Sequence, residues 1–311
     1  MKNTLVDINV FLAQQQKGMI NTLVEGNPLL ASIPVKPSTH GFKNVFSKVT
    51  DIKGLQEVMY DEELPQVSIA FELGETALGK IGGLLPMPDD AATQMGGYSV
   101  YANNRIPALM EDAGNKQETR IYYKGFQAYA LRNNRLLSAA GSTANKQFSL
   151  MAVTWNMDST VGLYDKNDVG NENDKGKIVR METLNDGAKH IITVDGHKCI
   201  GKEIAFYMKF GLQLADPRLV AGIVNIEPSA NKLPTAGQMD DLLSMVRANT
   251  NTVLYMHPNL QRKLATEFQF KQMQFVNGVT GVTYTMDTYQ NIPIVSSYNI
   301  SWGGESVIAV A

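Results

Sequence analysis

The first eighty residues carry apolar patterning with no local body to cover it, and this limits what the chain can become. Phe42 to Val49 and Gln66 to Leu73 both read as strands, rich in β-branched and aromatic residues. The stretch between them is polar and acidic, with Asp51, Asp61, Glu62 and Glu63. Two strands joined in this way form a long hairpin, and an isolated two-stranded hairpin is marginal in water. It must lie on something, either the rest of the chain or a neighbouring subunit. Ahead of it, Leu5, Ile8 and Leu12 recur at helical spacing before Gly18, and Met19, Ile20, Leu23 and Val24 make a second short apolar face before Gly26-Asn27-Pro28. Pro34 and Pro37 then forbid a long helix. Residues 1–42 therefore read as an arm, and residues 43–80 as an extended hairpin.

The remainder has the patterning of a folded body. Residues 81–104, with Gly82, Gly83, Pro86, Pro88, Gly96 and Gly97, predict turns and short strands. A long helix is expected from Asn104 as N-cap, with Pro107 tolerated in its first turn. The pattern is strongest from Gln117 to Leu131, where Tyr122, Phe126 and Tyr129 share one face. That stripe suits a helix laid on a sheet better than a surface for stacking bases. Gly114 and Gly125 each cost about 1 kcal/mol relative to Ala in a helix interior. Gly114 therefore suggests a kink or break, and Gly125 a close backbone contact. Strand-like runs follow at Lys177–Met181, His190–Val194 and Leu219–Ile226. Thr235 and Gln238 make a capping box for a helix whose buried face is Met239, Leu242, Leu243 and Val246. Thr252–Met256 reads as a strand, and His257-Pro258 opens a helix with Leu260, Leu264 and Phe268 on one side. Val282–Met286, Ile292–Ser296 and Val307–Val310 are further strands. The class is α+β with mixed sheets.

Composition narrows function by exclusion. Charged residues are 19%, below the roughly 25% of an ordinary domain, and 28 basic against 30 acidic side chains leave a net charge of −2. Such a balance argues against a basic nucleic-acid surface. Scarce charge means either a polar uncharged exterior or an exterior that meets other protein. Cys199 is the only cysteine, so no internal disulfide forms and a reducing compartment fits. No run of about 18 apolar residues spans a membrane, and the N-terminal stretch, broken by Asp7, Asn9 and Gln14 to Gln16, is a poor signal peptide. His197 and Cys199 share a strand face, but no second ligand pair completes a zinc site. The loop from Asp165 to Gly176 starts like a calcium loop, with Asn167 and Gly170, and fails at Val169 and Gly176. No phosphate loop and no nucleophile elbow is present. No catalytic residue, cofactor or metal is expected.

The order of parts carries a resemblance. The arm, the long hairpin, the glycine-rich stretch, the single long helix and the α+β remainder resemble, in sequence, the major capsid proteins of tailed bacteriophages, whose fold is shared with encapsulins. NPLLASIPV at 27–35 looks like the arm's characteristic start, VLYMHPNLQRKLATEF at 253–268 like a strand, polar-Pro and helix of the axial domain, and NIPIVSSYNI at 291–300 like a late strand of such chains. The resemblance implies an N-terminal arm (1–42), an extended hairpin loop (43–80), a peripheral domain with a spine helix (81–160), an axial domain (161–300) and a C-terminal strand (301–311) able to return to the peripheral domain. It implies self-assembly in hexamers and pentamers into an icosahedral head enclosing double-stranded DNA without sequence-specific binding. Scaffolding, portal and decoration proteins are the implied partners, with assembly in the host cytoplasm and residence in the virion. Any scaffold is expected to be a separate protein. The expected intersubunit contacts are Leu29, Leu30 and Ile33 in the arm, and Lys48, Lys53, Asp61, Glu62 and Glu63 in the hairpin. A compartment shell holding a cargo enzyme shares the fold and is the alternative.

Overall fold

The structure is a computed structural model that describes residues 27–60, 63–168, 179–268, 270–276 and 283–310. In chain order the elements are α1 (Pro28–Ser32), β1 (Val35–Pro37), β2 (Lys43–Lys53), β3 (Ser68–Ala77), β4 (Gly79–Pro88), α2 (Asp89–Gln94) and α3 (Tyr98–Arg120). Helix α3 runs without interruption through a π-helical segment, Ile121–Gln127, into α4 (Ala128–Arg132). There follow β5 (Leu136–Ser138), β6 (Phe148–Thr154), β7 (Thr160–Tyr164), β8 (Val179–Thr183), β9 (His190–Val194), β10 (His197–Leu214), β11 (Val220–Ile226), α5 (Ala236–Met245), β12 (Thr252–Met256), α6 (Pro258–Phe268), β13 (Lys271–Val276), β14 (Thr283–Tyr289) and β15 (Ile292–Ser296).

Among the described residues these strands form two sheets and a separate ribbon. β10 organises the six-stranded sheet. One edge of it pairs with β4, and the other pairs in succession with β9, β8 and β7, while β1 adds on β7. The seven-stranded sheet has the order β13-β14-β15-β12-β6-β11-β5. Both of its faces are covered. Met151 and Val153 of β6 point to a core with Tyr122, Phe126 and Tyr255, whereas Leu150 and Ala152 point to one built from α5 and α6. A strand covered on both sides reads as an unbroken apolar run, as at β6 and β11. A third core joins the first half of α3, through Tyr101, Ile106 and Met110, to β4 and β10.

Several expectations change. The stretch 81–104, expected to hold turns and short strands, forms the end of the long strand β4, then α2, a turn at Gly96-Gly97 and the start of α3. Gly82 explains the strand: a Cβ there would lie 2.7 Å from the Phe206 carbonyl oxygen, so only glycine lets β10 approach. The long helix begins at Tyr98, with Gly97 as its N-cap, so Pro107 lies inside it. The buried residues Tyr101, Ile106 and Met110 hold the helix across the hydrogen bond that proline cannot donate. Gly114 is buried within continuous helix and makes no break. Gly125 does mark a close approach, with Leu212 Cδ2 2.8 Å from where its Cβ would stand. Residues 307–310 form no strand. β11 bulges between Ile223 and Ile226, and the Asn225 amide takes both backbone groups of Ile308, at 2.8 Å each.

A buried carboxylate fastens the start of the described chain to the long helix. Glu118 accepts hydrogen bonds from the Leu29 and Leu30 backbone N–H groups (2.8 and 3.2 Å), from Asn299 Nδ2 (2.8 Å) and from the Ser297 hydroxyl. It satisfies orphan donors at the start of α1 and holds the segment after β15 at the same point. Glu118→Ala leaves these donors buried and unpaired, and is expected to destabilise the subunit by roughly 2–4 kcal/mol, read by denaturant unfolding of the unassembled chain.

Two other carboxyls respond to pH in opposite senses. Hydrogen bonds from Thr143, joined by Gln147 and Ser142, hold Glu227 at about 2, against an ordinary value of 4.5. Burial pushes Glu305 up, although Ser149, Tyr123 and Gln127 donate to it. The Glu227 contribution is therefore present above about 4.5 and lost as pH falls towards 2, whereas the Glu305 contribution is present below 4.5 and lost as pH rises through its folded value. Glu227→Gln should flatten the acid limb of a stability-against-pH curve, and Glu305→Gln the limb above it. Unchanged limbs in calorimetry would contradict the assignment.

Candidate functional site

β2 and β3 form the ribbon, and among the described residues it joins the body only at its root. There the Leu78 N–H donates to the Phe42 carbonyl (2.9 Å), and Asn44 Nδ2, buried, donates to Gln213 Oε1 (2.7 Å). Thr39 Oγ1 accepts from the Val45 N–H (2.8 Å). Beyond the root, among the described residues, the two strands pair only with each other.

The ribbon is amphipathic, and a bulge makes it so. Residues directly opposite in an antiparallel ladder point to the same side. Val49 faces Phe71, Ser47 faces Leu73 and Ile52 faces Ile69. Ile69, Phe71 and Leu73 alternate and lie on one face. Val49 and Ile52 are three apart, so a regular strand would put them on opposite faces. The register shift between Val49 and Asp51 inserts Thr50 as an extra residue and restores the phase. One face therefore carries Val49, Ile52, Ile69, Phe71 and Leu73, all exposed, with Phe71 at 65% and Leu73 at 77%. The other carries Lys48 opposite Glu72, together with Asp51 and Lys53, which pair at 3.1 Å. In the connecting segment Leu55, Met59, Tyr60 and Leu64 are exposed as well. Contiguous apolar surface of this extent marks an interaction site.

A cavity of about 440 Å³ lies beside the root, between the hairpin, the long helix and β10. Gln117, Arg120, Lys124, Arg132, Phe46 and Leu212 help to line it. Gln117 is buried, and neither its side-chain oxygen nor its nitrogen has a hydrogen-bond partner. Arg120 Nη2 donates to the Phe210 carbonyl (3.1 Å), and burial works against its charge. Among the described residues no three His, Cys, Asp or Glu side chains converge as a metal site. Asp165, the first residue of the calcium-like loop, pairs with Lys209 at 2.9 Å, and the rest of that loop from Val169 lies outside the described residues. No described helix is long and apolar enough to cross a membrane.

Residues 114–307 match the family model described as Major capsid protein GP7. The chain belongs to this family of major capsid proteins. It is a shell protein of the tailed-phage head. The fold agrees: a chain in the structure of bacteriophage Epsilon15 is similar at a TM-score of 0.53 and 13% identity, over 88% of each chain. The capsid of bacteriophage JBD30 aligns with a TM-score of 0.48 and 9% identity, over 87% of this chain and 90% of that one. An encapsulin from Synechococcus elongatus aligns with a TM-score of 0.46 and 10% identity, over 67% of this chain and 90% of that one. No curated protein matches the chain.

In this capsid protein the residues expected at subunit contacts fall into three groups. Leu29 and Ile33 are buried in the subunit's own core with Tyr122 and Phe126, and Leu30 packs partly against the same core. The Glu118 latch draws α1 down onto the long helix, so these apolar side chains are already covered in cis. Lys48, Lys53 and Glu63 are exposed on the hairpin. Asp61 and Glu62 lie outside the described residues. The contact residues expected on the hairpin are all charged, and none of the described ones lies on its apolar face. The signal of that face was present in the strict alternation of Val67, Ile69, Phe71 and Leu73. The Gln117 cavity has no signal in sequence, since hairpin and helix are brought together only by the fold.

Phe71→Ser and Leu73→Ser should each leave the unassembled subunit within about 0.5 kcal/mol of the parent in denaturant unfolding, as expected for exposed positions. A loss of roughly 3 kcal/mol would mean that the subunit itself covers this face.

Proposed function

We propose that the chain self-assembles in hexamers and pentamers into an icosahedral shell around double-stranded DNA, with the hairpin as the element by which each copy grips the next. One observation carries this reading: the ribbon presents an unbroken apolar face that the described residues leave uncovered. Covering its five side chains would stabilise a contact by on the order of 10 kcal/mol. That is comparable with the loss of translational and rotational freedom on association. A single ribbon contact is then marginal, and closure of many contacts into a shell makes it lasting. Exposed Lys48 and Lys53 on the ribbon's other face, and Glu63, are proposed as further contacts between copies, along with residues 1–26 of the arm.

The role is geometric and not catalytic. A net charge of −2 suits a container that holds nucleic acid without binding it through a basic surface. Scaffolding, portal and decoration proteins are the proposed partners, with assembly in the host cytoplasm before residence in the virion. A cargo-holding compartment would use the same fold, and the family match favours the phage head.

Gly54 and Gln66 sit side by side at the open end of the ribbon, so residues 55–65 can be replaced by a two-residue Asn-Gly turn. The shortened chain should fold as the parent does, by circular dichroism, yet yield few or no closed shells in negative-stain micrographs. Normal shells in normal yield would refute the role given to the hairpin.

A further inference from the structure

We infer that the cavity at the hairpin root is a receptor for a carboxylate from the hairpin loop of a second copy of the chain, supplied by Glu57 or Glu63. The inference rests on the reading of the hairpin as an intersubunit element and adds where the loop goes. Three observations support it.

First, the cavity contains donors that the described residues leave unused, Gln117 Nε2 and the Arg120 N–H groups beyond the one given to Phe210. Gln117 and Arg120 are three residues apart on the long helix, hence on one face, and Lys124 continues it by another turn. A buried amide with no partner is uncommon in a folded protein and costly to maintain. Arg120, Lys124 and Arg132 form no ion pair with any carboxylate among the described residues. Glu75 also lines the cavity, but it is paired with Lys43 at 2.7 Å. A carboxylate only accepts hydrogen bonds, so it suits Gln117 Nε2 and the Arg120 guanidinium together. A backbone N–H of the inserted loop would serve Gln117 Oε1.

Second, the hairpin loop has the complementary charge. Glu57 and Glu63 are exposed, and neither makes an ion pair among the described residues. The apolar loop residues Leu55 and Leu64 suit the walls offered by Phe46 and Leu212.

Third, the loop cannot reach its own root. Eleven residues of paired strand, from Lys43 to Lys53, hold it about 33 Å from Arg120, whose guanidinium lies beside Gly79 just past the root end of β3. Tethered at both ends, residues 54–67 double back by only about 24 Å. The occupant must come from another copy, with loop entering root in a head-to-tail contact that can close into a ring.

The test uses the full chain with exposed charges exchanged. Lys124→Glu with Arg132→Glu reverses the receptor, and Glu57→Lys with Glu63→Lys reverses the loop. Each pair alone should cut the fraction of chain in particles by about tenfold in sedimentation at low salt, and the fourfold variant should recover most of it. Failure of the fourfold variant to exceed the worse pair, or parent-like assembly of both pairs, would overturn the inference. Gln117→Leu offers an independent reading. It removes an unpaired buried amide, so the free subunit should be at least as stable as the parent, yet its assembly should fall several-fold. A stable Gln117→Leu chain that assembles normally also overturns it. The loop replacement separates the two readings. If shells vanish without residues 55–65 but charge exchange rescues nothing, the hairpin role stands and the receptor falls. If shells form without the loop, both fall.

Discussion

One strand holds the subunit together. β10 runs for eighteen residues and pairs with β4 along one edge and with β9, β8 and β7 along the other. The edge groups that would make so long a strand a template for aggregation are thereby paired within the chain. The close approach at Gly82 allows the β4 edge to pair, and the buried row Ile204, Phe206, Met208 and Phe210 places the sheet against the long helix. The root of the hairpin is anchored near the end of β10, where Asn44 meets Gln213. The most extensively paired strand of the molecule therefore carries its least supported part.

This contrast explains a chain that is stable in its body and incomplete at its surface. The seven-stranded sheet is covered on both faces, and Glu118 fastens α1 and the segment after β15 to the long helix. Among the described residues nothing comparable covers the ribbon. Its bulge at Thr50 gathers five apolar side chains on one face, an arrangement that opposes solubility in an isolated subunit and favours a contact between subunits. The low proportion of charged residues takes its meaning here. In a shell protein part of the exterior meets other copies, and fewer charges have to be desolvated when it does.

Much of the fold was legible because its signals are local. The capping box of Thr235 and Gln238 starts α5 where expected, and β9, β12 and β15 have the predicted bounds. Tyr122 and Phe126 are fully buried, with Phe126 stacked on Tyr255 at 5.4 Å. The errors lie where a distant partner overrides local preference. Gly82 and Gly83 favour turns until β10 pairs with them, Pro107 disfavours helix until Ile106 and Met110 are buried, and the strand expected at 307–310 gives way to the Asn225 amide. Leu29 and Ile33, expected at contacts between subunits, are buried within the subunit itself, and nothing near them in sequence reveals the carboxylate that draws α1 inward.

By itself the sequence determined the class of the fold, the existence of the hairpin and the long helix, and the order of parts that marks a capsid protein, because periodicity, capping and turn residues act over a few positions. The tertiary structure alone decided which apolar residues remain uncovered and which polar ones remain unpaired. Burial of Leu29, exposure of Phe71 and isolation of Gln117 each depend on what lies across a contact from elsewhere in the chain. Free energy of burial belongs to pairs of surfaces, and a sequence shows only one member of each pair at a time.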